Sequence, residues 1–312
     1  MLCNSRGVAC FAAMLLVVSF AARGEAPAIR VTLLGTGSPP PVMNRFGPST
    51  LVEAGGTKLV FDAGRGALQR LNEINVRWDT INAVFLTHLH SDHTVGFPDL
   101  WLTGWLVPPG RRVPLLVYGP AGTQNMMTSL RAAYDFDIRI RIADDGVPEE
   151  GVRILTKEIS DGVIFDQGGV KVTAFPVDHE PVKPALGFRV DYGGRSVVLS
   201  GDTRYSENLI GHAQNADVLI HEIVSPSTFA RSKVPPERAK IVIAHHTTPE
   251  EAAEIFSRTK PRLAVYSHLV QPTATADDVL PQTRARYSGR VELGEDLMVI
   301  EIGENVTVRS RK

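Results

Sequence analysis

The chain has 312 residues, of which 43% are hydrophobic and 21% charged, and its formal net charge is -1. This composition supports a folded protein and excludes a disordered or collagen-like chain. The balance of 33 basic against 34 acidic residues excludes a global basic excess for binding polyanions, although it leaves open a local basic patch. The length suits one large α/β domain.

The N-terminal segment has the pattern of a secretory signal peptide. Arg6 precedes an apolar run from Val8 to Ala22, and small residues follow. An uncleaved membrane anchor is the alternative, but the run is shorter than the roughly 20 residues that span a bilayer. We therefore predict a signal peptide at residues 1–24, no membrane association after cleavage, and a periplasmic or secreted protein.

Both cysteines, Cys3 and Cys10, lie within this predicted signal peptide. The remaining chain, residues 25–312, would therefore contain neither disulfides nor thiolate metal ligands. We predict that these residues form a single domain.

Strand and helix patterns follow one another in two halves of this domain. Pro249 suits the first turn of a helix that Thr248 caps. The pattern indicates two β-rich halves with helices outside them. Strands are predicted at 29–34, 49–54, 58–62, 81–86, 115–118, 170–175, 195–200, 218–221 and 263–267, with further strand signals dominating from 138 to 190. Helices are predicted at 67–74, 97–105, 122–134, 249–258 and 276–287.

The densest group of possible metal ligands follows the predicted strand 81–86. His88, His90, Asp92 and His93 lie within six residues, in a loop at the C-terminal end of the strand, where α/β sheets usually place ligands. Neutral imidazole nitrogen and carboxylate oxygen are the donors that Zn²⁺ takes in catalytic sites. The alternative is a histidine-rich surface loop. We favour a metal site because the downstream chain supplies further donors.

Three of these further donors, His179, Asp202 and His268, each follow or end a predicted strand. Each alone would more often be structural, but together they complete the ligands of two neighbouring ions. Two such ions lower the pKa of a shared water and clamp the oxygens of a displacement reaction, which favours metal-assisted hydrolysis. We expect two Zn²⁺, with Mn²⁺ or Fe as alternatives. One ion would be bound by His88, His90 and His179 and the other by Asp92, His93 and His268, with Asp202 bridging them.

The pattern His88-x-His90-x-Asp92-His93 resembles the signature of the metallo-β-lactamase superfamily. Within it, residues 31–302 are most similar to the ribonuclease Z and arylsulfatase-like branch, through Leu34-Gly35-Thr36-Gly37-Ser38, Phe61-Asp62-Ala63-Gly64, Gly187-Phe188-Arg189, Gly201-Asp202-Thr203-Arg204, His221-Glu222 and His246-Thr247-Thr248. This resemblance implies an α/β fold, a four-layer αββα sandwich.

The resemblance also implies roles for individual residues. The family has a histidine 22 residues before the last metal ligand that donates a proton to the leaving group. That position is His246, and His245 is the competing candidate. We assign catalysis to Asp92 and His246. The residues implied to orient ligands or strands are Asp62, His221 and Glu222.

Two features argue against tRNA as the substrate. Only 23 residues separate His179 from Asp202, whereas ribonuclease Z enzymes with an extended tRNA-gripping arm insert it at this place. The signal peptide would also direct the protein away from precursor tRNA. We therefore predict an exported hydrolase of a small phosphodiester, sulfate ester or similar ester, without a nucleic acid partner; a homodimer is possible.

Two alternatives remain open at this point. The first is a lactonase or β-lactamase, in which Tyr205 would contact the carbonyl of the substrate; Tyr205 could equally begin a helix. The second is a metal-binding protein that kept the fold and lost catalysis.

Overall fold

The computed structural model describes residue 1 and residues 28–310. The predicted signal peptide therefore lies almost entirely outside the described residues. Among the residues that are described, no helix is long and apolar enough to span a bilayer.

Fifteen strands are formed by the described residues, and they build two mixed sheets. The first sheet has eight strands and the second has seven. The strands are β1 (Ile29–Gly35), β2 (Ser49–Ala54), β3 (Thr57–Phe61), β4 (Ala83–Phe85), β5 (Leu115–Gly119), β6 (Ile154–Glu158), β7 (Gly162–Gln167), β8 (Val170–His179), β9 (Val182–Tyr192), β10 (Arg195–Leu199), β11 (Val218–Ile223), β12 (Leu263–Leu269), β13 (Val291–Leu293), β14 (Val299–Ile302) and β15 (Val306–Arg309). Their order is β15-β14-β1-β2-β3-β4-β5-β6 and β13-β12-β11-β10-β9-β8-β7.

Helices cover the outer faces of both sheets. One buried apolar cluster lies between the sheets, and two others lie between a sheet and its helices, so the predicted αββα sandwich is confirmed. The helices are α1 (Ala67–Glu73), α2 (Ser91–Thr94), α3 (Phe97–Leu106), α4 (Thr123–Ala133), α5 (Asp135–Ala143), α6 (Glu207–His212), α7 (Pro226–Ala230), α8 (Pro236–Ile243), α9 (Pro249–Thr259) and α10 (Ala276–Arg284), together with 3₁₀ turns at Trp78–Thr80 and Glu149–Val152.

The two sheets meet along the edge where the predicted donors lie. Strands β4 and β12 each run parallel to both of their neighbours, so their C-terminal ends point to this edge. Backbone hydrogen bonds of 2.9 Å from Leu186 to Thr87 and of 2.8 Å from Leu269 to Thr36 join loops of the first sheet to strands of the second. These bonds fix the two halves against each other beside the donors.

One sequence prediction of secondary structure was wrong. The stretch that begins at Ile138 was assigned to strands, but residues Asp135–Ala143 form α5. Apolar residues at 136, 138, 140 and 142 alternate as in a strand. However, ion pairs at helical spacing join Asp135 to Arg139 and Asp137 to Arg141, at 2.7 and 3.1 Å. Such pairs stabilise the helix, which buries only Ile138 completely.

The capped helix of the C-terminal half is confirmed. Thr248 and Glu251 form a reciprocal capping box, and Pro249 occupies the first turn of α9. The two short helices before it, α7 and α8, were not predicted. They form one wall of the site described next.

Candidate metal centre

The loop after β4 changes from extended backbone to helix within the histidine motif. His90 has extended dihedrals and precedes the single turn of α2. His90 therefore projects from extended chain, whereas Asp92 and His93 project from the helical turn. This change of direction lets one short segment supply two groups of donors.

Asp62 fixes this loop from the neighbouring strand. Its Oδ1 accepts a hydrogen bond of 2.8 Å from the Thr87 backbone N–H, and its Oδ2 accepts one of 2.9 Å from the Thr87 hydroxyl. Oδ2 also lies 2.8 Å from Nδ1 of His93. Asp62 thus sets the orientation of the His93 ring, which directs Nε2 towards the cluster.

The seven predicted donors lie together in two groups. Within each group, the candidate ligand atoms are all within 4.8 Å of one another. Nε2 of His88 and Nε2 of His179 lie 3.9 and 3.8 Å from Oδ2 of Asp202. The first group contains His88, His90, His179 and Asp202, and the second contains Asp92, His93 and His268.

Asp202 also approaches the second group. Its Oδ1 lies 3.4 Å from Nε2 of His93, and its Oδ2 lies 3.5 Å from Nε2 of His268. Nε2 of His268 lies 3.3 Å from Oδ2 of Asp92. His268 is the second-last residue of β12 and has φ at 40°, a left-handed conformation that is strained in non-glycine residues and often found at functional sites. Asp202 is therefore placed to contact ions at both groups.

The donor set fits divalent cations. Within the described residues, His93 Nε2, His179 Nε2 and Asp202 Oδ1 are buried without a hydrogen-bond partner. Burying such atoms is costly unless something binds them. Imidazole nitrogens and carboxylate oxygens without thiolates suit Zn²⁺, Mn²⁺ or Fe²⁺. These seven residues could therefore bind two metal ions.

The protonation states agree with a cation site. Burial lowers the pKa of His88 well below its usual value and the pKa of His179 to about 4, so both rings are neutral near pH 7, as metal binding requires. Burial opposes charge on Asp202, but His268 and His93 outweigh it and hold the pKa of the carboxyl well below its usual range. Asp202 and Asp62 likewise outweigh burial at His93 and raise its pKa. A bound cation would compete with this proton.

Glu222 orders the chain on the other side of the cluster. Its Oε1 accepts backbone hydrogen bonds of 3.2 Å from Thr203 and 3.0 Å from Thr247, and lies 3.2 Å from Nδ1 of His246. Burial and the nearby Asp202 raise the pKa of Glu222 well above its usual value. Glu222 thereby positions His246 next to the metal donors without belonging to either group.

His221 belongs to neither donor group. It is fully buried, its Nδ1 lies 2.7 Å from the carbonyl of Glu222, and its ring packs on Phe256. Burial lowers its pKa to about 4. Its contacts hold the backbone at the end of β11.

A cleft of about 470 Å³ opens in front of the two donor groups. His245 and His246 both line it, so the structure leaves both as candidates for the proton donor. Nδ1 of His179 donates to the backbone carbonyl of His245 at 3.0 Å. Helices α7 and α8 and the turn between them, which the sequence did not predict as part of the site, form one wall, through Phe229, Val234, Arg238, Ile241 and Val242.

Tyr205 does not face this cleft. Its hydroxyl donates to Glu254 at 2.9 Å and accepts from Arg258 at 2.5 Å, and it is not among the residues that line the cleft. This arrangement gives no support to a contact between Tyr205 and a substrate carbonyl.

Comparisons with known proteins agree with this geometry. The beta-lactamase superfamily domain matches residues 57–269. The chain is 38% identical over 283 residues to "Ribonuclease Z" of Mycobacterium sp. (strain KMS), covering 90% of this chain and 99% of the relative. The corresponding enzyme of Mycolicibacterium paratuberculosis is 39% identical over 279 residues, covering 88% and 98% of the two chains.

Solved structures share the fold. The metallo-β-lactamase fold protein YhfI from Bacillus subtilis aligns with a TM-score of 0.67 at 20% identity, covering 87% of this chain and 98% of that one. Human tRNase Z, short form, aligns with a TM-score of 0.66 at 24% identity, covering 88% and 99%.

The ribonuclease Z relatives correct two predictions. Because a ribonuclease acts on RNA, the prediction of a small-molecule ester substrate without a nucleic acid partner is wrong. The periplasmic or secreted location is contradicted by the same relatives, because RNA is made inside the cell.

The short interval from His179 to Asp202 was not a valid argument against RNA. In this chain the interval forms only the β9–β10 hairpin. The 283 aligned residues amount to 99% of the mycobacterial enzyme, so that enzyme has no room for a long arm at this place either. The chain belongs to the metallo-β-lactamase superfamily of hydrolases and is ribonuclease Z-like within it.

Proposed function

We propose that this protein is a metal-dependent phosphodiesterase that cleaves RNA, with tRNA carrying a 3′ extension as its substrate class. The observation that carries this proposal is the position of Asp202 between two groups of donors, on a chain 38% identical to a ribonuclease Z over 90% of its length. Two bound divalent ions would lower the pKa of the attacking water and stabilise charge on the phosphate oxygens.

The protein's own residues would position the ions and the substrate. His88, His90, His179 and Asp202 would bind one ion, and Asp92, His93 and His268 would bind the other together with Asp202. Asp62 would keep the His93 ring oriented through its contact with Nδ1. We further propose Zn²⁺ as the native metal, because the donor set is that of zinc hydrolases.

His246 is the residue that we assign to the leaving oxygen. Glu222 contacts its Nδ1, which leaves Nε2 as the atom available to a substrate in the cleft. Burial lowers the pKa of His246 to about 4, so the free ring is neutral near pH 7. The negative charge of a bound phosphodiester would favour its protonation. His246 could then transfer a proton from Nε2 to the departing ribose oxygen.

A cleavage assay tests the proposal. The full chain, reconstituted with Zn²⁺ or Mn²⁺, should cut an extended tRNA at a single position, and a chelator should abolish the reaction. Asp202→Asn, purified in the same way, should be inactive, which excludes a contaminating nuclease. Asp99→Asn changes an exposed carboxylate on α3 and should retain wild-type activity. No cleavage by the wild type, or equal cleavage by Asp202→Asn, would reject the proposal.

A further inference from the structure

Helix α8 separates the cleft from a second cavity. At 100° per residue, positions 238, 241, 242 and 245 share one face of the helix, and positions 239, 240, 243 and 244 share the opposite face. Residues of the first set line the metal cleft, and residues of the second set line a separate cavity of about 700 Å³. This volume is within the roughly 300–1,000 Å³ of typical small-ligand sites.

The second cavity combines apolar walls with two lysines. Phe229 and the prolines at 235 and 236 supply apolar surface, and Lys233 and Lys240 supply positive charge. Phe229 and Val234 line both this cavity and the metal cleft, so the two are neighbours across a shared rim.

The segment around helix α8 is basic, although the chain as a whole has a net charge of -1. Residues 225–246 contain four cationic side chains and one acidic side chain, Glu237. Arg231 pairs with Asp278. In the part of the chain that the structure describes, Lys233, Arg238 and Lys240 are exposed and form no ion pair. Unpaired cations on both faces of α8 complement a polyanion that reaches from the cleft to the second cavity.

We propose that the second cavity is a nucleotide subsite, which binds one nucleotide of the RNA strand near the cleaved bond. This inference rests on the proposed function. The base would pack against the apolar wall of the cavity, which is formed by the exposed prolines at 235 and 236 and by Phe229, which is 5% exposed. The phosphate would contact Lys233 and Lys240, and Arg238 would contact the strand on the cleft side of α8. The helix is about 10 Å wide, so the bound nucleotide is not the one that is cut.

Charge-removing variants test the lysines. For Lys233→Ala and Lys240→Ala, the KM for an extended tRNA should rise roughly fivefold or more. The slope of log KM against the logarithm of the salt concentration should decrease by the amount that corresponds to about one phosphate contact. Bis(p-nitrophenyl) phosphate has a single phosphate, so its hydrolysis should change by less than about twofold. Lys171→Ala is the matched control, because Lys171 is exposed and is the second residue of β8, eight residues and about 26 Å from His179.

Phe229→Leu tests the apolar wall, because it makes this wall smaller and keeps all of the cations. The KM for RNA should rise while the salt dependence stays unchanged, and a melting curve checks folding. Lysine variants that match Lys171→Ala, or a Phe229→Leu variant with the wild-type KM, would overturn the subsite while cleavage by the wild type still supports the proposed function. A wild type that binds and cleaves no RNA would overturn both.

Discussion

Oδ2 of Asp62 lies 2.8 Å from Nδ1 of His93, although the two residues are 31 positions apart in the chain. Asp62 adopts a left-handed backbone conformation with φ at 57°, which aspartate and asparagine tolerate better than most residues. Its carboxylate thereby contacts both Thr87 and His93. One residue at the end of β3 therefore aligns the loop that carries four of the proposed ligands.

Asp62→Asn should weaken metal binding without unfolding the protein. Asparagine fits the left-handed backbone and can still accept the hydrogen bond from the Thr87 N–H, but it lacks the charge that supports His93. Loss of such an orienting residue typically lowers metal affinity about 10–100-fold. Competition with a chromogenic chelator would measure the affinity. The exposed Asp99→Asn variant should match the wild type, and an unchanged affinity in Asp62→Asn would contradict this role.

Asp202→Ala should reduce both metal content and activity. Asp202 is the donor that approaches both groups. Loss of a residue that only orients a ligand lowers activity by up to roughly 100-fold, so removal of Asp202 should lower metal-dependent activity by more than this. Circular dichroism should remain native-like, because Asp202 lies in the loop after β10. Elemental analysis after reconstitution should find fewer ions per chain than in the wild type. Full metal content with near-full activity would refute the bridging position.

The clustering of the seven residues could be predicted from sequence because their positions follow strand ends. His179 ends β8, Asp202 follows β10 and His268 lies at the end of β12, so simple strand patterns place them on one edge. The two groups in the structure contain the same residues as the sequence prediction. The four-layer fold was predicted from the family signature, since periodicity alone indicates strands and helices without fixing how two sheets pack.

Other features could not be predicted, for physical reasons. The alternating apolar residues of α5 indicate a strand, and only the Asp–Arg pairs at helical spacing reveal a helix. Helices α7 and α8 are only five and eight residues long and each begins with a proline, so their patterns are too short to identify. The nucleic acid partner that the ribonuclease Z relatives indicate was not predicted, because the N-terminal pattern and the absence of an arm outweighed the ribonuclease Z resemblance.

The stability of the metal-free protein should fall as the pH decreases from about 6.5 towards 4, partly because of His221. Burial lowers the pKa of His221 to about 4 in the folded protein, below the ordinary histidine pKa of 6.5. The unfolded chain therefore binds more protons in this window, so acid favours unfolding, by at most about 3 kcal/mol for this group. Denaturant unfolding of wild type and His221→Leu in chelator should give a smaller acid-dependent loss for the variant. Identical losses would show that another group is responsible.

The last prediction distinguishes the two histidines of the cleft. His246 contacts Glu222 through Nδ1, whereas His245 accepts a hydrogen bond from His179 through its backbone carbonyl. A general acid contributes about 10²–10⁴-fold when the leaving group needs a proton, and much less when it does not. His246→Ala should therefore slow cleavage of RNA, whose ribose leaving group is basic, far more than hydrolysis of bis(p-nitrophenyl) phosphate. Metal content should be unchanged, because His246 belongs to neither donor group.

His245→Ala is the matched control and should not show this dependence on the leaving group, because its backbone contact with His179 survives the substitution. Equal losses on both substrates, or loss of an ion from His246→Ala, would make His246 a structural residue or a ligand instead.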